Sequence, residues 1–329
     1  MGKCVSCNTK IGRQLESCPN CDMWNFENKY FNKIQIPEEL KTELAKSHKI
    51  ISDELTRENL EKFVEEASVQ LNFPINTLKI TIISESKNLV QTGIVFGSSN
   101  DVVMHFVPRM WKIFSEEESM AIARHELLHP ITLKGNFTRY DDPIFDTFWH
   151  AYAELINHLE HFKRIKDDLH YHSAKEKSIP ESVFGLFVVR SFAEINEQPL
   201  SNLKLNLFTF FEHTIYFFHK NNNILKKFLE KYEFQKIWEF FGWLNEDLLF
   251  ISSKIQVEDC KDYLSYLFVL ANIVDQEVLV KENKIKHASS WLSYPVESIQ
   301  AFFEQTIFTD EDDEIKCQIR DNWKSRLLN

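Results

Sequence analysis

Ala123-Arg124-His125-Glu126-Leu127-Leu128-His129-Pro130 spells His-Glu-x-x-His, and the reading of the chain follows from it. Residues four apart share a helix face, with Cβ atoms about 5–6 Å apart. The imidazoles of His125 and His129 can therefore converge on one metal ion. Glu126 is rotated by roughly 100° from His125. Its carboxylate then stands beside the ion, where it can take a proton from an attacking water. The competing reading is a structural helix that carries two histidines, which would not require Glu126. The flanks support a helix: Ser115 is an N-cap, Glu118 stands at the capping-box position, and Glu116 and Glu117 sit near the positive end of the dipole. Met120, Ile122, Ala123, Leu127 and Leu128 supply an apolar side, and Pro130 is expected to end the helix.

The run from Ser115 to His129 resembles the active-site helix of zincin metallopeptidases, in particular the gluzincin branch. HtpX-like and CAAX-prenyl-protease-like enzymes and short soluble minigluzincins are similar to it over residues 50 to 165. The resemblance implies a zinc peptidase with Glu126 as catalytic base. It also implies an order of helix, small sheet, metal helix and second ligand-bearing helix, with the strand before the metal helix offering its edge to an extended peptide. Two imidazoles leave a catalytic zinc one protein ligand short of three. Glu154, 25 residues after His129 on the next helical run, is the expected third ligand, and the resemblance points the same way. Gluzincins commonly carry an Asp four residues after that Glu, where this chain has His158. His150 and His158, each one turn from Glu154, are the rival ligands. His105, on the strand before the metal helix, is read as packing or surface. The stretch Asp167-Asp168-Leu169-His170-Tyr171-His172 is read as polar surface, with an oxyanion-stabilising His or Tyr as the alternative.

A second pattern lies at the start of the chain. Cys4-x-x-Cys7 and Cys18-x-x-Cys21 each present two thiolates, and four sulfurs close a tetrahedral zinc site. Such a site is structural, and for so short a segment the metal supplies most of the folding free energy. The pattern resembles a zinc ribbon. Cys260 and Cys317 stand alone, which suits a reducing compartment better than a disulfide scaffold.

Composition limits what the 329 residues can do. With 28 Phe and 7 Gly, the chain favours helices with thick aromatic interfaces over a loop-rich or all-β fold. A net charge of −11 argues against a dominant nucleic-acid surface. No apolar run reaches the roughly 20 residues a bilayer needs, and the start lacks a signal-peptide pattern, so a cytoplasmic protein is expected. This departs from the membrane-embedded HtpX-like and prenyl-protease-like enzymes.

Helices are predicted from Pro37 and from Ser52-Asp53-Glu54, the second with Leu60, Phe63, Val64, Ala67 and Leu71 on one face. Strands are predicted over residues 78–83, 92–96 and 101–107, with a turn at 97–100. From Pro180 onward the pattern is helical and Phe-rich: residues 181–195, 202–219, 223–244, 259–280 and 295–307. The fold class expected is α+β and predominantly helical, with a zinc ribbon over residues 1–30, a zincin-like domain over 31–178 and an all-α domain over 179–329. The function expected is a soluble zinc metallopeptidase acting on a peptide or protein, with one catalytic and one structural zinc. The alternative is a catalytically silent module that recruits protein partners through the ribbon and helical domain.

Overall fold

A computed structural model of the chain describes residues 2–21, 23–82, 94–96, 101–133, 143–195, 211, 214–218, 220, 223–274 and 313–328. The protein is predominantly helical with two small sheets. Two compact units are formed, one from Met1–Thr138 and Asn157–Phe184, the other from Arg139–Ile156 and Gly185–Asn329.

The first unit opens with two short antiparallel strands, β1 (Gly2–Lys3) and β2 (Lys10–Ile11). The segment after the cysteines is packed into this unit. Met23, Trp24, Tyr30, Phe31 and Ile36 are buried, and Phe184 takes Trp24, Phe26 and Phe31 around its ring at 5.6–5.8 Å. Helix α1 (Glu38–Ser47) follows Pro37, with Glu38 and Glu39 in its first turn.

Helix α2 (Arg57–Leu71) starts later than predicted, and the hydrogen bonds explain why. The Ser52 N–H and hydroxyl are both directed at the Lys112 carbonyl, at 3.2 and 3.3 Å, so Thr56 becomes the N-cap and accepts from the Asn59 N–H. The helix ends at Asn72 in the left-handed conformation, φ 50°. Its predicted face is the buried one: Leu60, Phe63, Val64, Ala67 and Leu71.

The three strands are β3 (Thr77–Ile82), β4 (Ile94–Phe96) and β5 (Asp101–Phe106), in the order β3-β5-β4. β5 pairs parallel with β3, from Thr77↔Asp101 to Ile82↔Phe106, and antiparallel with β4. Among the described residues β5, the strand expected to offer its edge to a peptide, is instead the central strand, paired with β3 along its length and with β4 over Val103–His105. On its core face β5 buries Val102, Met104 and Phe106, whereas β3 buries Ile80 alone. His105 points to the other face of β5 and is half-buried. The turn predicted at residues 97–100 lies outside the described residues.

After the short α3 (Pro108–Trp111) comes α4 (Glu116–Thr132). Both halves of the predicted capping box form: the Ser115 hydroxyl accepts from the Glu118 N–H, and Glu118 Oε2 accepts from the Ser115 N–H at 2.8 Å. The far end differs from expectation. Pro130 lies inside the helix, which continues to Thr132, and the Leu133 N–H still reaches the His129 carbonyl at 3.0 Å. Proline removes one bond, the one that would reach the Glu126 carbonyl. Leu127, Leu128, Pro130 and Leu133 are all buried, and their packing holds the last turn. α2 lies along α4, and their apolar residues join those of β3 and β5 in one core with Trp111, Phe114 and Ala174. Each fully buried Leu or Phe there contributes about 1.5–3 kcal/mol.

Helix α5 (Pro143–Arg164) contributes its last two turns to the first unit, and α6 (Leu169–Glu194) its first four. Pro180, expected at a boundary, lies within α6, which has buried residues on both sides of it, including Ile179 and Val183.

In the second unit, the predicted helix 223–244 is two helices, α7 (Asn223–Lys231) and α8 (Gln235–Lys254), parted where Glu233 takes φ 62°. α9 (Lys261–Val274) and α10 (Glu314–Leu328) are its further described helices. The aromatic stripes are core: Phe211 stacks on Phe241 at 5.1 Å and Phe218 on Trp238 at 4.1 Å. α10 is anchored by the buried Asp247 of α8, which accepts from Trp323 Nε1 and Arg326. The helix predicted at 295–307 and most of that at 202–219 lie outside the described residues. Among the described residues, no helix is long and apolar enough to cross a membrane.

Candidate metal centres

The four N-terminal cysteines converge. Cys4, Cys7, Cys18 and Cys21 bring their sulfurs within 4.8 Å of one another, and three of the pairs are 3.5 Å apart. A disulfide would require about 2.05 Å, and all four are free thiols. Sulfurs about 2.3 Å from a tetrahedral zinc lie roughly 3.8 Å from each other, so the cluster can hold such an ion with little adjustment.

Two turns build the cluster. In the first, the Cys4 carbonyl accepts from the Asn8 N–H at 3.0 Å, Asn8 takes φ 61°, and the Cys4 N–H reaches Thr9 O at 2.8 Å. In the second, the Cys18 N–H reaches Met23 O at 2.8 Å. Burial pushes the Cys18 and Cys21 thiols up, and neighbouring sulfurs add to this. Burial opposes ionisation of Cys7 as well, but hydrogen bonds from Thr9 prevail and bring it down to about 6. A cation among them would remove the conflict by stabilising every thiolate at once.

The second group is His125, His129 and Glu154, whose donor atoms also lie within 4.8 Å of one another. His125 and His129 come from successive turns of α4, with ring centroids 5.3 Å apart and planes at 83°. Glu154 comes from α5 and is half-buried. Neither rival ligand belongs to the group. His158 is fully buried, and its ring packs on that of His125 at 4.8 Å, while His150 is half-buried. Donors about 2.0–2.1 Å from a tetrahedral zinc are roughly 3.4 Å apart. Two imidazoles and a carboxylate at the present spacing can close to that distance through side-chain torsions. Glu126, 12% exposed, has Oε2 3.9 Å from His129 Nε2. Its carboxylate is thus adjacent to the group without being one of its three members.

Behind the group lies a set of residues that the sequence reading did not single out or placed on the surface. Tyr171, on the first turn of α6, is buried and lies nearly parallel to His125, at 4.7 Å and 21°, and to His161, at 4.7 Å and 28°. Asp168 is the N-cap that sets Tyr171 there, since Asp168 Oδ1 accepts from the Tyr171 N–H at 3.0 Å. Its other oxygen accepts from Arg124 Nη2 at 2.7 Å and lies 3.5 Å from His161 Nε2. Burial works to raise the Asp168 pKa, but His161, the Tyr171 N–H and Arg124 together hold the carboxyl well below the usual range. At the N-terminus of α4, Glu118 accepts from Ser173 and Lys177 of α6, which also lowers its pKa against the effect of burial. The Asp-x-x-Tyr spacing is an ordinary helix start, and that was the signal available in the sequence. His170, by contrast, is exposed.

The chain matches no family model, no curated protein and no solved structure.

Proposed function

We propose that the protein is a zinc-dependent metallopeptidase of the zincin type, with a structural zinc ribbon at its N-terminus. The observation that carries this reading is the convergence of Glu154, from a separate helix, on the two imidazoles of His-Glu-x-x-His, with the Glu126 carboxylate adjacent. A structural metal site needs no such neighbouring base.

His125, His129 and Glu154 would hold the ion, a set of two histidines and one carboxylate that leaves a coordination position open. A zinc ion in that place supplies a water of lowered pKa and polarises a carbonyl oxygen. Glu126 accepts one proton of the water as its oxygen bonds to the peptide carbonyl carbon. It then delivers that proton to the amide nitrogen as the C–N bond breaks, leaving a carboxylate and an amine. Cys4, Cys7, Cys18 and Cys21 would hold a second zinc with no position open.

The test is Glu126→Gln, which keeps the shape of the side chain but cannot take the proton. Wild type and variant are incubated with a diverse peptide library and the cleavage products read by mass spectrometry. Both proteins should bind two zinc ions, and only the wild type should cleave, with cleavage lost on chelation and restored by zinc. Equal cleavage by the two would overturn the assignment of Glu126.

A further inference from the structure

We infer that Asn157 is the positioning residue of the histidine-glutamate centre, a clamp that holds α5 against α4 so that Glu154 meets His125 and His129. The inference rests on the metal-centre reading above. Asn157 is fully buried. Its Nδ2 donates to the His125 main-chain carbonyl at 3.0 Å and lies 3.3 and 3.4 Å from the two ring nitrogens of the same residue. Its Oδ1 accepts from Thr132 Oγ1 at 3.3 Å. The orientation of the amide follows from these partners, because a carbonyl oxygen can be met only by the NH2 end.

One side chain of α5 thus grips α4 at both ends of the metal-binding turn, at His125 and three residues beyond His129. Glu154 lies three residues before Asn157 on the same unbroken helix, a rise of about 4.5 Å and nearly one turn. A helix is stiff over that distance, so fixing Asn157 fixes where the Glu154 carboxylate begins.

The experiment is a cobalt(II) titration of the metal-free full chain followed by visible absorption. Thiolate-to-cobalt charge transfer reports the cysteine site, and the weaker ligand-field bands of a nitrogen and oxygen site report the second ion. Asn157→Asp is nearly isosteric but turns an oxygen toward the His125 carbonyl. Asn157→Leu keeps the volume and leaves that carbonyl with its own helical bond, so it retains the packing if the Asp variant does not fold. The second site should lose about 10–100-fold in cobalt affinity, the usual range for a lost supporting contact. Its ligand-field spectrum should also change, while the thiolate bands stay as in the wild type. Variants that melt earlier yet bind both ions with unaltered affinity and spectrum would overturn the inference and leave Asn157 a packing residue. A wild type with thiolate bands but no second ion would overturn the metal-centre reading itself, and the inference with it.

Discussion

Tyr171 lies against His125, ring centroids 4.7 Å apart and planes 21° from parallel, so the first histidine of the motif is held from behind by an aromatic wall. An imidazole that binds metal must keep one ring orientation, and a flat buried neighbour restricts rotation about the ring torsion. Tyr171→Phe keeps the wall and should leave zinc affinity at the second site within a few-fold of wild type. Tyr171→Ala removes it. That change should lower affinity there by about 10–100-fold and destabilise the fold by about 3–5 kcal/mol through the cavity it leaves. Competition with a zinc chelator and denaturant melts read the two effects separately. Equal affinities in the Phe and Ala variants would show that the ring does not orient His125.

Asp168 ties Arg124, His161 and the first turn of α6 together, and its folded-state pKa is depressed. The unfolded carboxyl titrates near 3.9. A depressed folded value means that the stabilisation is complete above the unfolded pKa and is lost as pH falls through and below it. Asp168→Asn should therefore destabilise by roughly 1.5–3 kcal/mol at pH 7, the range for a hydrogen bond to a charged group. The gap between variant and wild type should narrow as pH drops from 5 toward 2. Urea unfolding of both proteins at each pH measures the gap directly. A gap that stays constant across that range would mean that the charge on Asp168 is irrelevant to stability.

The cysteine cluster makes a prediction that metal counting can decide. Cys4→Ser/Cys7→Ser should lose one zinc ion per chain by elemental analysis and retain the other. The loss should also be felt beyond the segment. Asn20, between Cys18 and Cys21, accepts from Lys112 Nζ at 3.1 Å, and the Ser6 hydroxyl donates to the His48 carbonyl at 2.7 Å. Trp24 and Phe31 meanwhile pack on Phe184. Limited proteolysis should accordingly cut the double variant between residues 1 and 36 under conditions that leave the wild type intact. A double variant that keeps two ions would end the assignment of the cluster.

Local signals were legible in the sequence and tertiary ones were not. The capping box at Ser115, the buried face of α2 and the pairing of His125 with His129 each depend on residues within a few turns of one another, and each forms as read. Pro130 was read as a helix end and Pro180 as a boundary because one missing N–H is visible in sequence, whereas the packing that outweighs it is not. The start of α2 moved because Ser52 bonds a carbonyl 60 residues away. The strand order had the same difficulty, since a parallel partner is chosen by burial across the sheet and not by any neighbouring turn. Asn157 left no pattern at all: its partners are 25 and 32 residues distant, and nothing about a single asparagine within a helical run announces a clamp.

Glu154 is the proposed third ligand, and its rivals lie close enough to make the comparison sharp. His150 and His158 are each one turn away on the same helix. His158 is fully buried and its ring faces that of His125 at 4.8 Å, so its removal leaves a cavity beside a ligand. Glu154 alone of the three has a donor atom grouped with those of His125 and His129. Glu154→Ala should therefore lower zinc affinity at the second site by orders of magnitude, leave the cysteine-bound ion in place, and change stability little in metal-free protein, since the side chain is only half-buried. His158→Ala should do the reverse in emphasis, with a lower melting temperature and a modest loss of affinity through slackened packing on His125. His150→Ala should leave both nearly unchanged. If Glu154→Ala binds two ions as tightly as wild type while a histidine variant binds one, the centre is a three-histidine site. The gluzincin resemblance would then no longer describe its metal chemistry.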